Sequence, residues 1–276
     1  MASAPTITLA SGHSIPQIGL GTWPLDDAQA ADTVLAALEL GYRHVDTAEN
    51  YGNEAGVGEG IRRSGLPREK VFITSKFNRK WHSVHGVRTA WENAVRRIGV
   101  DYLDLYLIHW PNPAQGTYVE AWEGLIALRD EGKVRSIGMS NFFPAHVRRV
   151  VEATGVAPDV DQLQISPYWT KRDMREFNSA QGTVTEAYTP IGRGTELLAA
   201  PAVVAAAEAH GVTPAQAVLR WHTQQGLVAI PKSSHRDRLA ENLDVFGFDL
   251  TQAELEALDA LDGQGPEAAD PERFGH

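Results

Sequence analysis

Residues 71–109 read VFITSKFNRKWHSVHGVRTAWENAVRRIGVDYLDLYLIH. The stretch opens on a short β-branched and aromatic run, Val71 to Lys76, and closes on another, Leu103 to His109. Between them Val87, Ala90, Trp91, Ala94, Val95 and Ile98 recur at helical spacing, which gathers them on one apolar stripe. Gly99 stands where a helix C-terminal stop is expected. Strand, helix and strand in this order make a βαβ unit, and the unit recurs in both directions along the chain. Further strands are expected at Gln17 to Gly21, Tyr42 to Asp46, Ser136 to Asn141, Val160 to Ile165, Thr183 to Tyr188 and Leu227 to Lys232. With the first two they number eight.

The helical segments are well punctuated. Ala31, Val34, Leu35 and Leu38 repeat the apolar spacing before a stop at Gly41, and Gly132 is placed for a further stop. Thr213-Pro214 followed by Gln216 combines an N-cap, a first-turn proline and a capping-box partner, and Thr251 with Glu254 repeats the box on a final helix. Eight strand-helix alternations without a long linker predict one (β/α)8 TIM barrel, a single domain over 1–276. Two segments stand outside the alternation. Thr6 to Leu9 and Ser14 to Ile18 form an expected N-terminal β-hairpin that could plug the barrel's lower end, and Pro201 to Gly211 is an extra helix in the C-terminal part. After Asp262 the composition of Gly, Pro and acidic residues predicts a mobile tail or surface loop.

Twenty-five Lys and Arg against 35 Asp and Glu give a net charge of -10, which argues against general affinity for nucleic acid or an anionic membrane. There is no cysteine, so thiolate metal or redox chemistry is excluded. No apolar run is long enough to span a bilayer, and Met1 to Leu9 lacks the pattern of a signal peptide. A cytoplasmic location is the expectation.

Barrels of this kind build their site at the C-terminal ends of the strands. Here those ends carry Asp46, Lys76, His109, Ser140-Asn141, Tyr188 and Lys232-Ser233, with Gln162 on the sixth strand. Tyr51 lies on the loop just past Asp46. A Lys paired with an Asp and held near a tyrosine favours the phenolate, so a Tyr51 pKa below the usual value of about 10 is expected. Such a tyrosine exchanges a proton with a carbonyl oxygen as hydride is transferred, and His109 could align that oxygen. Singly, each of these residues is more often an ordinary ion pair or packing group. Their convergence on one rim is what points to chemistry.

The stretch from Gly41 to Glu54, GYRHVDTAENYGNE, with Leu107 to Pro111, Ile137 to Asn141 and Ile230 to Ser233, resembles the aldo-keto reductase family, from about Ile15 to about Leu261. Residues 213–222 and 239–250 are most similar to the bacterial branch containing 2,5-diketo-gluconate reductases. The resemblance implies a catalytic tetrad of Asp46, Tyr51, Lys76 and His109 with Tyr51 as general acid or base. It implies reduction of a small carbonyl substrate such as an aldehyde, α-dicarbonyl or keto-sugar. His109, where steroid double-bond reductases carry Glu, disfavours that variant.

Gly56, Gly58 and Gly60 come too late and in the wrong spacing for a Rossmann motif, so a dinucleotide must sit on the barrel rim. The resemblance places a nicotinamide amide against Ser140, Asn141 and Gln162, with Tyr188 stacked on its ring. Lys232, Ser233 and Arg238 sit where a strand end enters a helix, which suits a 2'-phosphate and favours NADPH. The same similarity puts Glu241 and Asn242 beside the adenine. Trp23, Trp110, and Phe77 or Trp81 are expected as an apolar pocket wall. The chain departs from the family at Asn78, often Trp, at Asp161, usually Asn, at Ser166, usually His, and in a tail without the expected Arg. His235 stands where close relatives often carry Arg. Asp161 and Ser166 bear on the nicotinamide contact at Gln162 and His235 on the strength of the phosphate preference, while Asn78 and the tail touch the pocket rim, where substrate choice is made and stays open.

Two other readings compete. A regulatory protein on the same barrel would bind nicotinamide cofactor with slow turnover, against which stands the full tetrad. A metal-dependent hydrolase would need His-x-His at a strand end, whereas His82 and His85 lie in a loop, and no metal is expected. A monomer is expected from the resemblance.

Overall fold

The computed structural model describes residues 4–275, and the ends of the expected 1–276 span lie outside the described residues. A small antiparallel hairpin, β1 (Thr6–Thr8) with β2 (Ser14–Pro16), precedes eight parallel strands. These are β3 (Leu20–Gly21), β4 (His44–Asp46), β5 (Phe72–Phe77), β6 (Leu103–Ile108), β7 (Val134–Ser140), β8 (Val160–Gln164), β9 (Val184–Tyr188) and β10 (Val228–Ile230), paired in sequence order. The expected first strand, Gln17 to Gly21, is reduced to the two residues of β3. The barrel closes just before it, where Ile18 bridges Ala229 and the Gly19 N–H donates to the Ala229 carbonyl.

Helices α1 (Asp27–Leu40), α2 (Glu54–Arg63), α3 (Val84–Ile98), α4 (Tyr118–Asp130), α5 (Pro144–Thr154), α6 (Arg172–Ala180), α7 (Pro201–His210), α8 (Pro214–Gln224), α9 (Arg236–Leu243) and α10 (Gln252–Asp259) surround the strands. Among the described residues no helix is long and apolar enough to cross a membrane. The expected caps are present. Thr213 accepts from the Gln216 N–H and Thr251 from the Glu254 N–H, each with its reciprocal bond, and Gly41 and Gly99 take left-handed φ values of 114° and 78°.

Successive strand residues point to opposite faces, so one set fills the barrel and the other meets the helices. Inside, Leu9 and Ile15 of the hairpin region pack with Phe72, Leu105, Leu107, Val160 and Val228. The Ser11 N–H donates to Asp159 at 2.7 Å and its hydroxyl meets that of Ser136 at 2.8 Å. The hairpin therefore plugs the end of the barrel where the strands begin. Outside, Val45, Ile73, Tyr106, Ile108, Ile137 and Met139 join apolar residues of α1, α3 and α4 in the largest core.

Phe77 belongs to that outer core, fully buried, with Tyr106 at 5.1 Å between ring centroids. The pocket role expected for it is corrected by the alternation of β5: Lys76 points inward, so Phe77 must point to the helices. Gly56 and Gly58, unused by any dinucleotide loop, let α2 approach its neighbours. A Cβ on Gly56 would lie 2.0 Å from the Asp27 carbonyl oxygen, and one on Gly58 would lie 1.8 Å from that of Ile98. Gly58→Ala is expected to lower the urea midpoint by an amount corresponding to about 2–3 kcal/mol; an unchanged midpoint would show that α2 and α3 part without cost.

Candidate active site

At the centre of the C-terminal rim the Lys76 ammonium has no solvent-exposed surface. It donates to both Asp46 carboxylate oxygens, at 2.6 and 2.8 Å, to the Thr47 carbonyl at 3.0 Å and to the Tyr51 hydroxyl at 3.4 Å. Burial, the largest single influence, would lower the lysine pKa, but the charge and hydrogen bonds of Asp46 together with the fields of Tyr51 and Glu186 outweigh it and raise the pKa to about 12. For Tyr51 the balance goes the other way. Burial raises the phenol above its usual value, and the opposing pull of Lys76 does not cancel it. The expected lowering is therefore corrected: burial keeps the Tyr51 hydroxyl protonated.

Tyr51 ends a single 3-10 turn, Glu49–Tyr51, and Gly52 follows with φ 65°. Asn53 ties this turn to the barrel. Its carbonyl oxygen accepts from the Thr47 hydroxyl at 2.8 Å, and its amide donates to the Thr22 and Leu25 carbonyls at 3.0 and 2.9 Å. Glu49 anchors the other side by accepting from the indole N–H of Trp81 at 3.0 Å and pairing with Lys80 at 2.8 Å. Trp81 is engaged by these contacts and does not reach the cavity wall.

His109 follows β6, with its ring edge-on to Tyr51 at 5.9 Å between centroids. Asn141, in a left-handed conformation at φ 64°, donates to the His109 carbonyl at 3.2 Å and accepts from the Tyr188 hydroxyl at 2.7 Å. The Ser140 hydroxyl donates to the Gln162 carbonyl at 3.0 Å, and the Gln162 amide donates to Asp46 Oδ2 at 2.8 Å. One hydrogen-bonded net thus joins β4, β7, β8 and β9.

Above it opens a cavity of about 950 Å³, lined by Asp46, Tyr51, His109, Ser140, Asn141, Gln162 and Tyr188 together with Trp23 and Trp110. Trp23 is half exposed, with the Arg193 guanidinium 4.0 Å above its ring. Lys232 faces both this cavity and an adjoining trough lined by Ser233, Arg238, Glu241 and Asn242. Burial and the nearby charge of Arg193 lower the Lys232 pKa. Among the described residues no group of three or more His, Asp or Glu side chains could hold a metal ion.

Two contributors escape the sequence reading. Glu186, buried inside the barrel on β9, accepts from the Gln162 amide. Its signal is a carboxylate two residues before Tyr188 and so on the same face of the strand. The tail is the other. Of the expected mobile tail or surface loop it is the loop, and it is anchored: the Trp169 indole donates to the Pro266 carbonyl at 2.8 Å, Glu272 pairs with His146 at 2.9 Å, and Phe274 packs on Trp110 at 4.9 Å while lining the cavity. No local pattern encodes these long-range contacts.

A parallel barrel whose rim joins a buried Lys-Asp pair, a tyrosine and a histidine beneath an apolar cavity defines a class, the barrel oxidoreductases. The Aldo/keto reductase family matches residues 17–263, and the chain belongs to that family. An aldo-keto reductase of Mycobacterium sp. (strain KMS) is 44% identical over 274 residues, with 98% of each chain covered. Among solved structures, a Gox0644 variant in complex with NADPH superposes with a TM-score of 0.94 at 42% identity, covering 99% of this chain and 100% of that one. The Bombyx mori aldo-keto reductase in complex with NADP gives 0.90 at 32% identity, covering 96% and 94%.

Asp161, one of the departures, alternates with Gln162 and points outward, where it accepts from Asn178 of α6 at 3.3 Å. Burial pushes its carboxyl up to about 8, against the hydrogen bonds from Asn178 and the Phe142 backbone. With an unfolded value near 3.9, its contribution to stability is complete below about pH 4 and is lost as pH rises through about 8. Asp161→Asn should therefore stabilise the fold by several kcal/mol more at pH 8 than at pH 4. Melting curves at the two pH values check this; an equal effect at both would contradict the buried-acid assignment.

Proposed function

We propose that this chain reduces small aldehydes, α-dicarbonyls or keto-sugars to alcohols with NADPH, reversibly, with Tyr51 as general acid in reduction and general base in oxidation. The reading includes one catalytic domain over 1–276 acting as a cytoplasmic monomer. The observation that carries it is the Lys76 ammonium, shared between Asp46 and the Tyr51 hydroxyl at the floor of the cavity.

The residues present suit the cofactor. Ser140, Asn141 and Gln162 offer amide and hydroxyl groups at one end of the cavity beside the ring of Tyr188, as a carboxamide-bearing ring requires. At Gly21, beside Lys232, a Cβ would come within 3.1 Å of Ile230, so bare backbone lines that wall. Lys232, Arg193 and Arg238 make no ion pair among the described residues. Burial and, after it, the charge of Arg193 lower the Lys232 pKa, and an anion between the two cations relieves that repulsion. Lys232, Ser233 and Arg238 would hold the 2'-phosphate, with Glu241 and Asn242 beside the adenine.

The cofactor, when bound, supplies hydride to the carbonyl carbon. Tyr51 gives its hydroxyl proton to the carbonyl oxygen, and Lys76 stabilises the phenolate left behind. Asp46 neutralises Lys76 and fixes its position, so the ammonium needs no reorganisation as charge appears on Tyr51. His109 faces the same oxygen, while Trp23, Trp110 and Phe274 exclude water from it. Because the Tyr51 pKa is raised, the proton is present at neutral pH, and reduction is lost only as alkaline pH removes it.

Tyr51→Phe is expected to lower kcat for carbonyl reduction by about 10²–10⁴-fold while NADPH still quenches the protein's fluorescence; normal turnover would overturn the assignment. Arg238→Ala should weaken NADPH binding about tenfold and leave NADH binding nearly unchanged, consistent with loss of one charge-assisted contact. Equal weakening of both cofactors would remove the 2'-phosphate from this trough.

A further inference from the structure

Glu186 lies on the inward face of β9, fully buried, in register with Gln162 of β8 and Val228 of β10. One of its oxygens accepts from the Gln162 amide, and the other, Oε2, meets no hydrogen-bond donor among the described residues. The same amide nitrogen donates to Asp46 Oδ2 at 2.8 Å. Gln162 is therefore a bridge between two carboxyl groups.

The groups around this bridge are few. Across the barrel stand Asp46 of β4, Lys76 of β5 and Tyr51, all close enough to exchange charge effects with Glu186 or with one another. On its own strand Tyr188 turns its hydroxyl to Asn141, and His109 lies beyond at the rim. From β10 come the apolar Val228 and Ile230, with Lys232 further out at the cavity edge. Asp161 and Thr185 face away from the barrel, toward Asn178. His44, lower in the barrel, bonds to the Thr74 hydroxyl.

Among the described residues the chamber thus holds one ammonium and two carboxyls. Lys76 gives its hydrogen bonds to Asp46, Thr47 and Tyr51 and none to Glu186. In a dry interior the carboxyl without the cation keeps its proton. Burial, with the charge of Asp46, accordingly pushes Glu186 up to about 8. Once ionised, Glu186 favours the protonated forms of both Tyr51 and Lys76.

We propose that Glu186 is a positioning residue of the reductase site: as a neutral acid it fixes the Gln162 amide against Asp46, and on losing its proton it adds a negative charge that keeps the Tyr51 hydroxyl protonated. The inference rests on Tyr51 as proton donor. Its consequence is an alkaline limit of reduction set by two groups, with ionisation of Glu186 displacing that of Tyr51 upward.

Ionisation of Tyr51 can be read without substrate or cofactor, as the ultraviolet tyrosinate signal lost on Tyr51→Phe. The measurement is made in the wild-type background and again with Glu186→Gln, which retains an acceptor for Gln162 but cannot ionise. The expected result is a Tyr51 midpoint lower by about half a pH unit or more in Glu186→Gln, about threefold in the proton equilibrium, with the alkaline limb of kcat/KM moved the same way. Glu186→Leu, which removes charge and acceptor together, should shift the midpoint in the same direction. A midpoint unchanged or raised in the folded variants overturns the proposal. Full turnover by Tyr51→Phe overturns the proton-donor reading, whereas an unshifted Tyr51 titration overturns the coupling of Glu186 alone.

Discussion

The Lys76 ammonium, shut away from solvent at the top of the barrel, can stay charged only because Asp46 holds it with both carboxylate oxygens. An ion pair in such a place adds little net stability, since desolvation of two charges offsets most of their attraction. Its value is positional. Lys76 cannot move without exposing a buried charge, so Tyr51 meets a fixed cation, and the Gln162 amide, tied to Asp46, fixes the floor beside it. The strand ends make this possible because β4 and β5 are adjacent and in register, which sets inward-facing residues of both at the same rim.

Around that pair the barrel divides its labour. The lower end is closed by the hairpin and filled with aliphatic side chains, which gives stability and no chemistry. The upper end carries the polar net, the cavity and, among the described residues, three cations without carboxylate partners, Arg193, Lys232 and Arg238. Burial acts on both sides of this arrangement. It holds Tyr51 and Glu186 protonated and would lower Lys76 were Asp46 absent.

Much of this is legible in the sequence because strand and helix periods are local. The β-branched runs and the capping boxes at Thr213 and Thr251 mark the elements closely, and polar residues at successive strand ends reveal the rim. What escapes is set by contacts between distant segments. β3 is only two residues long because backbone bridging at Ile18 and Ala229 completes the barrel there. The polar tail reads as exposed, yet His146 and Trp110 hold it against the cavity. Phe77 is a different case: an aromatic at a strand end suggests a pocket, but the inward Lys76 before it already dictates the opposite face. The Tyr51 pKa needed the balance of burial against a single charge, which spacing alone does not supply.

In the proposed mechanism the buried Lys76 ammonium sets the rate by stabilising the phenolate of Tyr51. Lys76→Met keeps an unbranched side chain of nearly the same length and removes the charge. Once melting and NADPH-induced fluorescence quenching show that this variant folds and binds cofactor, its carbonyl reduction should be about 10³-fold slower than wild type. A folded, cofactor-binding Lys76→Met protein that reduces carbonyls at the wild-type rate would contradict the account.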